Sequence, residues 1–151
     1  MNAFELFGHW AEVRVALIQA LDKLDDVQLD FVPREGLWSL RQVLVHISDV
    51  EEGWFRFRIE GKYNSWAEIG IEQANYPTVE SIKQLLADVH VRTDNYLKTI
   101  KVEDLGNVVS LSLIEKTTVN WIIWHVLEHE IHHRGEVFLM LGLLGLEGPD
   151  I

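Results

Sequence analysis

Four segments of about twenty residues repeat apolar side chains at three- and four-residue steps, the period of a helix that buries one face. In residues 3–23 the stripe is Phe4, Phe7, Ala11, Val15, Ile18 and Leu21. In residues 79–100 it is Ile82, Leu85, Leu86, Val89, Thr93, Tyr96 and Leu97, behind a Thr78 cap. Residues 39–59 open on Ser39 and Gln42, spaced as a capping box, and close at Gly61. The last segment starts near Thr117 or Thr118, runs to Leu141 or Leu144, and ends on Gly142, Gly145 and Pro149. All three prolines, 33, 77 and 149, fall where these patterns break. The expectation is an all-α fold, a four-helix bundle of antiparallel helices. With 151 residues, 48% of them apolar, one core and one domain over 1–151 are expected. Links 24–38 and 101–116 carry no strong helical signal, and Asn107–Leu113 could be a short extended piece. The 61–77 link is expected to pack on the bundle through Trp66 and Tyr76.

Several function classes drop out on composition. No cysteine is present, which removes disulfides, thiolate ligands and a cysteine nucleophile together. With 13 basic and 24 acidic residues the formal charge is −11, which opposes binding to nucleic acid or an anionic membrane. The longest apolar run, Val137 to Leu146, is far short of the roughly 18 residues a membrane span needs. The first residues are too polar for a secretory signal. A cytoplasmic protein is expected, with no nucleic-acid and no membrane partner.

Chemistry concentrates in histidine. Seven occur, and four of them, His125, His129, His132 and His133, lie in WHVLEHEIHHRGEV. At about 100° per residue, His129 and His133 sit some 40° apart on one helix face, the spacing at which two imidazoles reach one ion. Glu136 falls in the same arc. A third ligand must come from elsewhere. His46, in VLVHISDV, reads either as a hydrogen-bonded core histidine or as an inward imidazole facing the last helix. Three neutral imidazoles would leave positions open, as in catalytic rather than structural sites. His125 reads as a supporting donor, a packed residue or a fourth ligand, with the first preferred. His132 reads as a surface or supporting group, His9 and His90 as helix-surface or interface residues, and the six tryptophans as core packing. Arg134 points away from the ligand face and is expected to pair with an acidic residue of a neighbouring helix. Gly135 would let another helix come close. A zincin protease is not expected from the stretch around Glu130.

Two segments, LWSLRQVLVHISDVEEGWF (37–55) and HVLEHEIHHRGEVFLMLGLLGLEGPD (125–150), resemble the DinB-like proteins, metal-binding four-helix bundles. The second is similar to that family's H-x-x-x-H-R-G-Q pattern, with Glu136 where the family usually has glutamine. The resemblance implies metal ligation by His46, His129 and His133, a divalent ion (zinc or nickel first, iron or manganese next), and a homodimer. Relatives with assigned activity are similar to transferases that use low-molecular-weight thiols such as bacillithiol. The function implied is therefore a metal-dependent thiol S-transferase acting on a small electrophile. Its alternatives are a non-catalytic stress-related metal-binding protein and a metal-assisted hydrolase. Asp49, one turn beyond His46, and Glu136 are the candidate catalytic helpers. Asp49 reads equally well as a solvated carboxylate.

Overall fold

The computed structural model describes residues 1–151. Helices α1 (Ala3–Leu6) and α2 (His9–Leu21) replace the single first helix expected. The chain kinks at Phe7 and Gly8, and Asn2 caps α1 in a box with Glu5. Helix α3 (Leu40–Glu52) carries the Ser39–Gln42 capping box and runs on into a π-helical segment, Gly53–Ile59. Helix α4 (Val79–Thr99) is capped by Thr78, and α5 (Val119–Leu143) by Thr118. The extended piece expected near residue 107 is β1 (Val108–Ser110), paired antiparallel with β2 (Lys116–Thr118). No helix is long and apolar enough to cross a membrane.

The architecture is a four-helix bundle, but its helices are not all antiparallel neighbours. Helix α2 packs on α4 and α5, and α3 packs on the same two. One apolar cluster joins the N-terminal halves of α3 and α4 to the C-terminal halves of α2 and α5: Val43, Leu44 and Leu86 meet Leu17, Leu21 and Leu141. A second joins Phe7, Trp10 and Val13 to Phe55, Leu97, Ile122 and Ile123 at the opposite end. So α3 and α4 run in the same direction. Residues 60–78 must therefore return along the whole bundle before α4 begins, which explains the length of that link. Its anchors are Ile71 and Tyr76 against the first cluster, the Tyr76 carbonyl accepting from Arg41 at 2.6 Å, and Trp66 donating to Asp49 at 3.0 Å. Trp66 lies where a Cβ on Gly53 would stand, so only glycine lets the link seat its indole on α3.

Between the two apolar clusters lies a buried polar layer with one charged group from each helix. The Arg14 guanidinium donates to Glu51 at 2.6 Å and to Glu130 at 2.8 Å, and reaches the Leu86 carbonyl at 3.2 Å. Trp10 Nε1 donates to Glu130 at 2.6 Å. His90 Nδ1 meets the other Glu51 oxygen at 2.8 Å. His90 is thus a largely covered residue at the edge of this layer, bonded inward, and not the open helix-surface group expected. Burial alone would favour a neutral His90 ring, but the hydrogen bond and charge of Glu51 outweigh it and raise its pKa above 6.5. Burial likewise opposes charge on Glu51, yet Arg14 and His90 hold it below the usual carboxylate range. Arg14 lies between Glu51 and Glu130, and His90 meets Glu51, so each buried carboxylate has a partner, the condition under which buried charges are tolerated.

Candidate metal centre

At the level of this polar layer, α3 and α5 face each other with histidines. His46 extends from α3, and His129 and His133 from successive turns of α5. The Nε2 atoms of His46 and His129 are 3.0 Å apart. Ring centroids are 4.8 Å apart for His46 and His129, 5.0 Å for His46 and His133, and 4.4 Å for His129 and His133. One nitrogen from each of the three rings lies within 4.8 Å of the others. The structure thus brings together the three residues singled out in the sequence.

This donor set fits a divalent ion. Bonds of about 2.0–2.1 Å in a tetrahedral site put nitrogens roughly 3.4 Å apart, near the 3.0 Å between His46 and His129 and inside the 4.8 Å that bounds the set. Two Nε2 atoms at 3.0 Å must share either a proton or a cation. Burial, then the neighbouring His133 and His46 rings, push the His129 pKa down to about 3. Burial and His133 lower that of His46, against the opposing pull of Asp49 and Glu136. Both rings are therefore neutral near pH 7, where one can donate its own Nε2–H to the other and where the imidazole is in the form that ligates metal. The metal-free protein is expected to show a His129 ring that stays neutral from pH 8 down to pH 5 by NMR. A midpoint near 6.5 would contradict the packing described. Because this pKa is depressed on folding, its stabilising effect is complete above about 6.5 and is lost as pH falls from there toward about 3.

The supporting groups differ in what they do. Glu136 accepts from His133 Nδ1 at 2.7 Å, which leaves Nε2 of that ring free to face the other two, and stands 3.2 Å from the exposed His132 Nε2. A carboxylate behind a ligating imidazole fixes its tautomer and orientation. Asp49 is half-buried beside His46; burial raises its pKa and the Trp66 hydrogen bond opposes the rise. It is therefore held by an indole and is not a freely solvated carboxylate. His125 is not the supporting donor preferred from sequence: it packs flat on Trp121 at 4.6 Å and edge-on to Trp54 at 5.1 Å. His9 lies exposed beside Glu12 as expected. Arg134 sits over Phe138 of its own helix, 5.6 Å from the ring centroid, and not on a neighbouring acidic residue. Nothing lies within 4 Å of where a Gly135 Cβ would be, so no helix of this chain comes close there.

Residues 129–133, HEIHH, do satisfy the letters of H-E-x-x-H, which the sequence reading passed over. Geometry removes the zincin reading all the same. Glu130 points to the opposite side of α5, 1% exposed, bound by Arg14 and Trp10, and cannot serve as a base at the three histidines.

The tryptophans also depart from expectation. Trp10 is a core residue at 2% exposure, but Trp38 and Trp121 are nearly half exposed. Trp38 lies edge-on to His46 at 4.8 Å and stacks over His133 at 6.2 Å. Two recesses flank it. One of about 500 Å³ reaches His133 and Glu136; the other, about 200 Å³, reaches His46 and Asp49. Trp38 was the residue missed as part of the site, and its signal was a large aromatic placed one residue before a helix cap.

Comparisons with known proteins agree with this architecture. The sequence profile of the DinB family matches residues 1–151. YizA of Bacillus subtilis is 30% identical over 104 residues, 68% of this chain and 62% of that protein, so the aligned part is less than two thirds of YizA. A Bacillus cereus protein named "Putative metal-dependent hydrolase" is 28% identical over 131 residues, 77% of this chain and 74% of its own. The crystal structure of a DinB-like protein from Bacillus cereus superposes with a TM-score of 0.75 at 17% identity, covering 96% of this chain and 94% of the other.

Proposed function

From the premise that this chain belongs to the DinB family, we propose that it is a metal-dependent enzyme whose divalent ion is held by His46, His129 and His133. The observation that carries this is the convergence of three imidazoles, mostly shielded from water, on one point between α3 and α5. A divalent ion with three nitrogen ligands has a position left for a small molecule and lowers the pKa of a thiol or water bound there. Glu136 keeps His133 turned toward that point, and Asp49 stands ready beside His46 to hold a proton or orient a polar group.

The finer reading is transfer of a low-molecular-weight thiol, bacillithiol or a similar one, to a small electrophile. Two features support it. The chain has no cysteine of its own, so the nucleophilic sulfur would arrive with the cosubstrate. A metal-bound thiol also needs no strong general base, and the carboxylate that the H-E-x-x-H spacing would supply is turned away. Metal-assisted hydrolysis is the second reading, favoured by the name of the Bacillus cereus relative and by the two carboxylates at the rim.

A screen with metal-loaded protein separates them. Thiol transfer predicts consumption of a chloronitroarene that requires both added thiol and metal. Metal-dependent hydrolysis of a nitrophenyl ester without added thiol would replace the first reading by the second. Absence of both activities would leave a metal-binding protein.

A further inference from the structure

We propose that the recess beside His133 receives the uncharged apolar tail of an amphiphilic substrate whose polar group lies at the three histidines, with Trp38 as the ridge between the two ends. The proposal rests on the metal reading above for the position of the polar group. The tail itself is inferred from the recess.

The recess of about 500 Å³ is walled by Pro33, Leu37, Trp38, Val43, Leu139 and Met140. Its volume falls within the range of about 300–1,000 Å³ typical of small-molecule sites. Leu37 and Leu139 are 56% and 66% exposed, so large aliphatic groups line a hollow and stay in water unless something covers them. No lysine or arginine borders it. Its polar lining side chains are His133 and Glu136, at the end that meets the metal centre. An anionic tail would meet Glu136 inside a chain of formal charge −11 and is disfavoured.

The recess on the other side of Trp38 is more polar. It is small, about 200 Å³, and Gln42, Asp49, Gln73 and His46 line it beside Val45 and Ile71. Gln73 comes from the link that returns along the bundle, and Trp38 lines both hollows. A molecule seated across the three histidines therefore meets aliphatic walls on one side and amides and a carboxylate on the other. Such a site selects an acyl, alkyl or aryl group joined to a compact polar head.

Straight-chain alkyl hydroxamates test this, since the head chelates a protein-bound metal while the tail length is varied. On metal-loaded protein, calorimetry is expected to give a dissociation constant that falls two- to fourfold per methylene from acetyl to hexanoyl, up to the full transfer value for a buried CH₂. A terminal carboxylate on the six-carbon chain should cancel that gain. Leu139→Asp, at an exposed position of α5, should flatten the dependence on chain length. No dependence in the wild type, or the same slope in Leu139→Asp, overturns the proposal. If acetohydroxamate does not bind at all, the open metal position is wrong. The recess is then judged on metal-free protein by ligand-observed NMR, where hexanamide must bind more tightly than acetamide for the proposal to stand.

Discussion

Replacing His129 by alanine is expected to abolish tight divalent-metal binding while leaving the helical far-ultraviolet signal in place. His129 is the ring that touches both others, 3.0 Å from His46 through nitrogen and one turn from His133. Without it, two imidazoles on different helices remain, and affinity falls by orders of magnitude. The fold does not depend on the ring, because two apolar clusters hold the bundle and neither includes it. An ion that binds only the folded chain stabilises it by about 2.7 kcal/mol at a hundredfold excess over its dissociation constant. For a domain of this size that corresponds to roughly 5–10 °C in melting temperature. Chelator should lower the wild-type melting point by that amount and leave His129→Ala unmoved. Equal sensitivity in both would put the stabilising ion elsewhere.

The second large effect concerns Arg14, which is remote from the chemistry. Arg14→Met removes the cation held between Glu51 and Glu130 and leaves two buried carboxylates with His90 as their nearest compensation. Breaking a buried ion pair from one side costs about 3–5 kcal/mol, which lowers the melting temperature by roughly 6–20 °C. Replacing Arg14, Glu51 and Glu130 together by methionine and leucines should restore part of the loss, since no carboxylate is then buried without its cation, while His90 and Trp10 Nε1 lose their acceptors. If the triple variant is as unstable as the single one, shape and not charge holds the layer. His90 adds a pH signature of opposite sign to that of His129. Its raised pKa stabilises the fold below about 6.5, and that contribution is lost as pH rises through the folded value.

Much of this was legible in the sequence, and the exceptions have physical causes. Helices α4 and α5 were readable to within a residue or two because their stripes and Thr caps agree. The break at Gly8 was not, since the stripe continues in phase from Phe4 and Phe7 to Ala11 across it. The direction of α4 was hidden for a related reason: periodicity fixes which face of a helix is buried and says nothing of its polarity. A link of 17 residues (61–77), long enough to retrace a helix of about 30 Å, was the available clue. The His129–His133 pair was readable from its i, i+4 spacing, whereas His46 was left open by its apolar context and joined the set only through the resemblance to the DinB-like proteins. The polar layer was passed over because each member stands alone in its own segment. Glu130, four residues after Val126 and seven before Val137, sits in the apolar stripe of α5 and marks the place where that stripe had to be interrupted.

The order in which the helices meet bears on when the centre can exist. His46 and His129 are 83 residues apart in the chain, and α3 and α5 become neighbours only in the closed bundle. Contacts of that separation slow folding, because a long loop must close before they contribute. During synthesis, a chain that has emerged only as far as α4 offers a passing ion His46 without the rings that complete the set. A site built on these three rings would therefore be completed only when the last helix docks.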